Sequence, residues 1–332
     1  MEIAFCSFVS VSSHGGIEVR MAEMTRLLTQ QGHKVVVYAT PYSHGGRKVK
    51  PEDLIPNIPY QEAWRHKVKA DVAYIYYYSP LAWRTLFSVD CPKIAAMHPA
   101  GLIFKSSPRH WLFRIVGSQD LASFEAVRIQ SPIFKFEHSQ VFQIPDWVDT
   151  KAFAQQQEKA GKFTLLFVGR RHGERRWRIF HKVASKLKNQ GYDFDFIATG
   201  EGDEIIRGLG EVNHDAMPEV YSRAHILLQP SITDTFGLAI IEALSCGIPV
   251  ITTPIPAHIG LEVPLFYAQS TDKFVERVLK VYDRWCYEPE QYEKLRSSLR
   301  QSVLKYDVDS VFPQLENMFE SVANESARVR AE

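Results

Sequence analysis

The stretch that decides the fold reads PSITDTFGLAIIEALSCGIPVI and runs from Pro230 to Ile251. A strand pattern, HILLQPS, leads into it, and the apolar run FGLAIIEALSCG that follows has the length of a short helix. The next segment, IPVITT, has the pattern of another buried strand. Strand, loop, helix and strand in this order indicate parallel strands joined by a helical crossover. Two acids belong to this unit, Asp234 in the loop and Glu242 in the helix.

Both acids flank a predicted anion site. The first turn of a helix has unpaired N–H groups and a partial positive charge, so a diphosphate binds well there. We expect this helix to start near Phe236, directly after Asp234, and carboxylates accept the hydroxyl hydrogen bonds that a ribose or sugar diol offers. The alternative is structural, with Asp234 as a helix cap and Glu242 in a surface ion pair. The apolar neighbours of Glu242 indicate burial, and a buried carboxylate needs a partner.

The same alternation of strands and helices recurs along the chain. EIAFCSFVS, a glycine-bearing loop, the helical pattern IEVRMAEMTRLLTQQG and HKVVVYAT form a first βαβ unit, and further strands are predicted at 72–79, 93–98, 126–131 and 140–145. A polar stretch at 150–162 is interpreted as a linker, after which the alternation restarts. We predict an α/β protein with two doubly wound, Rossmann-like domains, residues 1–155 and 160–305, facing a central cleft. A C-terminal helix, 306–332, is expected to pack back on the first domain.

Composition narrows the class of protein. The 332 residues include 45% hydrophobic and 23% charged side chains, as globular proteins do, and the net charge of +1 gives no global field for nucleic acid. A local basic run, RRHGERRWR, is the one feature that favours nucleic acid. Four scattered cysteines without a CxxC motif indicate neither zinc nor a disulfide framework and suit a reducing compartment. With no signal-peptide pattern and no apolar run of membrane-spanning length, we expect a cytoplasmic protein.

Several segments carry a resemblance to one family. SITDTFGLAIIEALSCGIPVITT resembles the two-acid segment of the retaining GT-B glycosyltransferases of family 4, the glycosyl transferases group 1. That family usually reads E-G-F-G-L, then E-A and G-x-P-V-I, so Asp234 replaces a Glu and Thr235 a Gly. FVGRRHGERRW resembles the family's G-R-L-x-x-x-K-G segment, and SSHGGIEVRMAEM, AAMHP and IPDWVDTKAF resemble three further segments. The resemblance extends over about residues 2 to 260 in the family's order.

The resemblance implies roles for individual residues. Arg170 takes the place of the diphosphate-binding Arg and Arg175 that of the family's Lys, although it stays open whether Arg175 or Arg176 faces the diphosphate. His98 matches the active-site His, and Asp234 the first acid. The residues implied to bind the donor come from the glycine loop and the later helix: Gly15, Gly16, Phe236, Gly237, Leu238 and Glu242.

The implied activity is metal-independent transfer of a sugar, with retention, from a nucleotide diphosphate-sugar to a glycan, lipid-linked or small-molecule acceptor. No cofactor is expected. The changes at Asp234 and Thr235 keep an alternative open, a non-catalytic nucleotide-sugar-binding homologue or regulatory subunit. The string DFD at 193–195 matches the metal motif of the other large glycosyltransferase fold, but its position favours a solvated strand entrance. The basic and aromatic stretch 104–116 is a candidate for peripheral contact with the inner membrane face, with an ordinary amphipathic helix as the alternative.

Overall fold

The computed structural model separates into two units, the first made of Met1–Pro145 with Phe312–Glu332 and the second of Asp146–Val311. The second unit begins earlier than the predicted domain start at 160, because the segment after Pro145 packs into it: Trp147 is fully buried and Phe153 joins its core. The structure describes residues 1–11, 16–42, 46, 48–50, 54–62, 66–77, 80–97, 118–131, 138–154, 161–169, 171 and 173–331.

The first unit is built on parallel strands. They are β1 (Glu2–Ser7), β2 (Lys34–Ala39), β3 (Tyr60–Glu62), β4 (His66–Val68), β5 (Val72–Tyr77), β6 (Phe87–Val89), β7 (Lys93–Met97), β8 (Ala126–Ile129) and β9 (Val141–Gln143). Seven of them form one sheet in the order β3-β2-β1-β5-β7-β8-β9, while β4 and β6 pair separately. The sheet is parallel throughout, as the predicted βαβ units require.

Helix α1 (Gly16–Gln30) shows why the first crossover forms. Met21, Met24 and Leu28 recur at helical spacing and are fully buried, so one face of the helix covers the sheet. Gly32 follows with a φ of +85°, a left-handed conformation that ends the helix where the sequence predicts. Two shorter helices, α2 (Pro80–Leu86) and α3 (Ser118–Leu121), complete the described helices of this region.

The second unit has a six-stranded sheet, again parallel. Its strands are β10 (Thr164–Phe167), β11 (Asp195–Ala198), β12 (Arg207–Gly208), β13 (Ile226–Gln229), β14 (Val250–Thr252) and β15 (Phe266–Tyr267), in the order β12-β11-β10-β13-β14-β15. The chain thus builds the sheet outward from β10 in one direction and then returns to continue from β13 in the other. The point between β10 and β13 is the topological switch point at which doubly wound sheets bind ligands.

Helices cover both faces of this sheet. The helices of this unit are α4 (Trp177–Asn189), α5 (Met217–Ser222), α6 (Leu238–Ser245), α7 (Pro256–Ile259), α8 (Thr271–Tyr287) and α9 (Pro289–Ser302). The last helix of the chain, α10 (Val308–Ala331), follows them. Leu166 and Leu227 point into one core with α6, whereas their neighbours Phe167 and Leu228 point into another with α4 and α8. Alternate residues of each strand are therefore buried on opposite faces, which explains the continuous apolar runs in the sequence.

The last helix belongs mostly to the first unit. From Phe312 onward α10 contributes to that unit, and Phe319 is fully buried with its ring centroid 6.1 Å from Phe5 and 5.5 Å from Tyr74. His33 Nε2 lies 2.9 Å from Glu316 Oε1, which adds a polar contact to the same helix. The return therefore begins at Phe312, within α10, rather than at the predicted residue 306.

Candidate active site

Two loops meet at the switch point of the second unit. One follows β10 and contains Arg175, and the other follows β13 and contains Asp234. Because β10 and β13 are hydrogen-bonded neighbours, with Leu166 paired to Leu227, their carboxyl ends open at the same edge of the sheet. The two loops also contact each other through the backbone, since the N–H of Ile232 donates to the carbonyl of Glu174 at 2.9 Å. The topology therefore brings together two residues 59 positions apart.

Arg175 and Asp234 form a direct ion pair. Nη1 of Arg175 donates to Oδ2 of Asp234 at 2.5 Å and lies 3.4 Å from Oγ of Ser231. With the Gln229 amide oriented to satisfy its neighbours, its oxygen accepts from the same Nη1 at 2.8 Å. The guanidinium is about one third exposed, whereas the carboxylate is 8% exposed. The site thus presents a cation at its opening and an acid beneath it.

Asp234 stays ionised although it is buried. Burial alone would raise the pKa of this carboxyl, but the Arg175 guanidinium and His258 lower the pKa well below its usual range. The other oxygen, Oδ1, accepts from the backbone N–H of Thr235 at 2.9 Å. Asp234 is consequently a fixed negative charge between two loops and not a simple helix cap.

The structure distinguishes Arg175 from Arg176. Arg175 ends a 3-10 turn, Gly173–Arg175, and points toward Asp234, whereas Arg176 has a left-handed backbone with φ 53° and is the residue before α4. Gly169, with φ +137°, lies under the Arg175 side chain, and a Cβ there would be 3.1 Å from Cγ of Arg175. Glycine therefore leaves the room that the arginine stem occupies.

Helix α6 starts later than the sequence suggests. Its first residue is Leu238, and Gly237 precedes it in a left-handed conformation with φ 105°. The predicted start at Phe236 is wrong because the positive φ of Gly237 interrupts helical geometry. The Phe236 ring is buried and packs edge-on against Tyr306 at 5.3 Å, so only its backbone is available to a ligand. The residue before α6, Gly237, has no side chain to cap the helix, and the first N–H groups of a helix without such a cap suit an anion.

Glu242 is held by two side chains. Its Oε2 accepts from the hydroxyl of Tyr221 at 2.8 Å, and its Oε1 lies 3.0 Å from Nε2 of His214. Burial, and next the Glu242 charge, raise the pKa of Tyr221, so that hydroxyl keeps its proton and donates. Glu242 is 7% exposed, which rules out a surface ion pair. The buried acid has the partners that its apolar surroundings require.

The structure describes some of the remaining predicted residues and not others. Gly16 is the exposed first residue of α1 in the first unit. Gly15, His98, Arg170 and the segment 104–116 lie outside the described residues. The acids of the DFD string contact Lys162, which lies 3.5 Å from Asp195 and closer to Asp193. Asp193 is 88% exposed, in keeping with a solvated strand entrance.

Three residues of the site were missed in the sequence. His258, His214 and Tyr221 contact the two acids, yet none belongs to a motif that marks a site. Tyr221 and His214 follow β12, far from Glu242 in sequence, and His258 follows β14. The one available signal was topological, because a residue after β14 lies at the same carboxyl edge as residues after β10 and β13.

The comparisons with known proteins agree with this geometry. Residues 162–284 match the family model described as Glycosyl transferases group 1. The matched range lies entirely within the second unit. The matched range contains Arg175, Asp234, Glu242 and the three residues that contact the acids.

Curated relatives match this chain over parts of their length. The chain is 24% identical over 203 residues to the phosphatidylinositol N-acetylglucosaminyltransferase gpi3 subunit of Schizosaccharomyces pombe, covering 55% of this chain and 44% of that protein. It is 32% identical over 111 residues to a 2-deoxystreptamine N-acetyl-D-glucosaminyltransferase of Niallia circulans, covering 29% and 28%. The chain thus spans less than half the length of these relatives.

Solved structures extend the likeness to the fold of both units. Anabaena Alr3699/HepE, in a complex with UDP and glucose, has a TM-score of 0.74 at 14% identity, covering 97% of this chain and all of that one. The fold of the chain is accordingly GT-B, as the sequence predicts. Among the described helices, none combines the length and the hydropathy that a membrane crossing needs.

Proposed function

We propose that this protein transfers a sugar, with retention, from a nucleoside diphosphate-sugar to an acceptor that is still to be identified. The observation that supports this most directly is the Arg175–Asp234 pair beside the uncapped start of α6. A cation and a helix N-terminus at one edge provide the positive charge that a leaving diphosphate needs. The HepE complex with UDP and glucose makes UDP-sugars the first donors to test.

The reaction follows from the charges of the site. The bond between the anomeric carbon and the diphosphate oxygen breaks, and the acceptor oxygen forms a bond to the same carbon on the same face. The leaving diphosphate oxygen takes the acceptor proton, so no separate general base is required. Arg175 and the α6 N-terminus stabilise the charge that grows on the leaving group, and Asp234 binds sugar hydroxyls. Glu242 is assigned to the ribose diol.

A donor screen tests this proposal. Thermal unfolding is measured with UDP-, GDP- and ADP-sugars, since a ligand at 100 times its Kd stabilises the folded state by about 2.7 kcal/mol. The stabilising donor is then assayed for release of nucleoside diphosphate, with and without candidate acceptors, and the anomeric configuration of the product is read by NMR. Stabilisation with turnover and a retained anomer supports the proposal. The absence of stabilisation by every donor contradicts it.

The same screen distinguishes the non-catalytic alternative. The departures at Asp234 and Thr235 and the direct pairing of Arg175 with Asp234 are the observations that favour it. A protein that only senses nucleotide-sugars would be stabilised by a donor yet release no nucleoside diphosphate with any acceptor. Asp234→Asn is the matched control in this assay, because it removes the charge of Asp234 and keeps the shape of its side chain.

The acceptor and its location are the second part of the proposal. The stretch 104–116 combines basic and aromatic residues, which supports a cytoplasmic enzyme that contacts an anionic membrane surface while it works on a lipid-linked acceptor. Sedimentation with vesicles of phosphatidylcholine and phosphatidylglycerol tests this contact. We expect binding that rises with the anionic lipid fraction and falls with salt. Equal recovery in the supernatant at every lipid composition would favour a soluble acceptor.

A further inference from the structure

His258 is a fully buried histidine that the proposed reaction does not yet use. It lies on α7, between β14 and β15, and its Nε2 is 3.5 Å from Oδ2 of Asp234. The ring edge lies beside Gly237, because a Cβ on that glycine would be 3.5 Å from Cδ2 of His258. A histidine therefore packs between the acid of the site and the start of α6.

The hydrogen bonds of the ring fix its protonation. The Thr252 hydroxyl donates its only hydrogen to the carbonyl of Gln229 at 2.7 Å, so it can only accept from Nδ1 of His258, which lies 2.8 Å away. The carbonyl of Thr253, 3.2 Å from the same nitrogen, is also an acceptor. Nδ1 must therefore carry a proton.

Whether Nε2, the opposite ring nitrogen, also carries a proton depends on its contact with Asp234. In a neutral ring with the proton on Nδ1, Nε2 would direct a lone pair at the Asp234 carboxylate, and two acceptors would repel. With a proton on Nε2, the ring donates to Oδ2 instead. Arg175 pairs with the same oxygen and opposes protonation of the carboxylate, so the proton belongs on the ring.

On this basis, and on the proposed transfer reaction, we infer that His258 is a positioning residue that binds Asp234 through Nε2–H while Nδ1–H anchors it to Thr252 and Thr253. Its charge adds to that of Arg175, so the group of Asp234, Arg175 and His258 carries one net positive charge. Arg175 can then turn toward a diphosphate without leaving Asp234 unpaired. The contact at 3.5 Å is long, and such contacts shorten when substrate binds.

Two isosteric variants separate positioning from packing. In His258→Asn the amide nitrogen overlays Nδ1 and keeps the bonds to the two threonines but reaches no further. In His258→Gln the amide nitrogen overlays Nε2 and keeps the contact with Asp234. We expect His258→Asn to lower kcat about 10- to 100-fold, because a small displacement of a catalytic group has effects of this size. We expect His258→Gln to recover part of kcat, and the KM for the donor to stay within about threefold in both.

His225→Asn is the control for loss of a buried histidine. His225 is also fully buried in the second unit, but it precedes β13 and accepts from the N–H of Thr164, at the opposite edge of the sheet from the site. Its variant should keep the kcat of the native protein. A purely structural role for His258 would reverse the order, with His258→Asn as active as the native protein and His258→Gln impaired, and that result overturns the inference.

A spectroscopic measurement keeps this test independent of turnover. In protein labelled with ¹⁵N-histidine, the resonances lost in His258→Asn identify the ring, and we expect protons on both of its nitrogens. Asp234→Asn should remove the proton from Nε2 alone. A ring with one proton in the native protein overturns the inference even if transfer is observed. Two protons with no turnover for any donor would instead leave His258 as assigned and contradict the proposed function.

Discussion

The two acids of the site contact different side chains, and this difference predicts different kinetic defects when each acid is substituted. Asp234 pairs with a cation at the opening, whereas Glu242 is bound by Tyr221 and His214 deeper along α6. We expect Asp234→Asn to lower kcat about 100-fold, as loss of transition-state stabilisation does. Glu242→Gln should instead weaken donor binding about tenfold, which is the loss of one hydrogen bond to a charged group. Steady-state kinetics and calorimetry with the donor found in the screen measure both.

Tyr221→Phe is the matched control for the second acid. It leaves the Glu242 charge in place and removes only the hydroxyl that donates to Oε2. Donor binding should weaken less than in Glu242→Gln, because the carboxylate can still accept from the ribose. Near-native kinetics in both acid variants would show that the site has been assigned to the wrong residues.

The paired charge of Asp234 also predicts a dependence of stability on pH. A carboxyl whose pKa is lowered in the folded state stabilises the protein above its unfolded pKa of about 4, and this contribution is lost as pH falls through the lower folded value. The excess in the free energy of unfolding of the native protein over that of Asp234→Asn should therefore shrink as the pH falls below about 4. Urea unfolding between about pH 5 and the lowest pH at which the protein is folded measures it. A difference that grows as the pH falls below about 4 would contradict the ion pair.

At the residue scale the sequence indicated the charged residues better than their partners. Asp234, Glu242 and Arg175 could be named as candidates because the loop, the helix and the basic run were recognisable patterns. Their partners could not, because His258 and Tyr221 reach the acids only after separate strands have assembled into one sheet. That Arg175 and not Arg176 contacts Asp234 goes with one left-handed backbone at Arg176, which no side-chain pattern encodes.

At the scale of elements, the start of α6 depends on Gly237. Its φ of 105° strains any other residue, and a Cβ would lie 3.3 Å from Cδ1 of Ile240 and 3.4 Å from Cδ1 of Leu261. We expect Gly237→Ala to reduce the free energy of unfolding by about 1 to 3 kcal/mol and to weaken donor binding, since the first N–H groups of α6 would move. Gly161→Ala, with open space around its Cα, is the control and should change neither. Urea unfolding and donor calorimetry test both, and equal stability of the two variants would contradict this role.

The uncapped start of α6 also predicts a response to metal removal. Arg175 and the helix start supply positive charge where glycosyltransferases of the other fold use a metal ion, and the DFD acids are occupied by Lys162. We expect EDTA to leave the initial rate unchanged and added Mg²⁺ or Mn²⁺ to raise it less than about twofold. Loss of activity in EDTA, with recovery on addition of one cation, would contradict metal independence.

The elements themselves were predictable where their patterns were long. Helix α4 repeats buried residues at helical spacing, and the central strands are continuous apolar runs, so both were recognised. The elements that the sequence pattern did not predict are short or lack a hydrophobic periodicity. Strands β12 and β15 have two residues each, and α7 starts at a proline within an irregular segment. Such elements form because neighbouring strands and helices complete their hydrogen bonds, which a local window of sequence does not contain.

At the scale of the whole molecule, the sequence predicted two α/β units but placed their division by composition. The polar stretch at 150–162 suggested a linker, yet Trp147, before this stretch, and Phe153, within it, are both buried in the second unit. Polarity marks solvent exposure, whereas the division between units depends on which core buries the aromatic residues. The return of α10 to the first unit similarly depends on Phe319 and its contacts with Phe5 and Tyr74.

This division predicts that each unit can be destabilised separately. Phe319→Ala removes a fully buried ring from the first unit, and Phe274→Ala removes one that is 1% exposed from the second. Each should cost about 3 to 5 kcal/mol and lower the midpoint of its own transition by about 10 °C in calorimetry. The nucleotide found in the donor screen should raise only the transition that Phe274→Ala lowers, because Arg175, Asp234 and Glu242 belong to that unit. If both variants and the nucleotide shift one shared transition, the two units unfold as a single cooperative structure, and the return of α10 couples them.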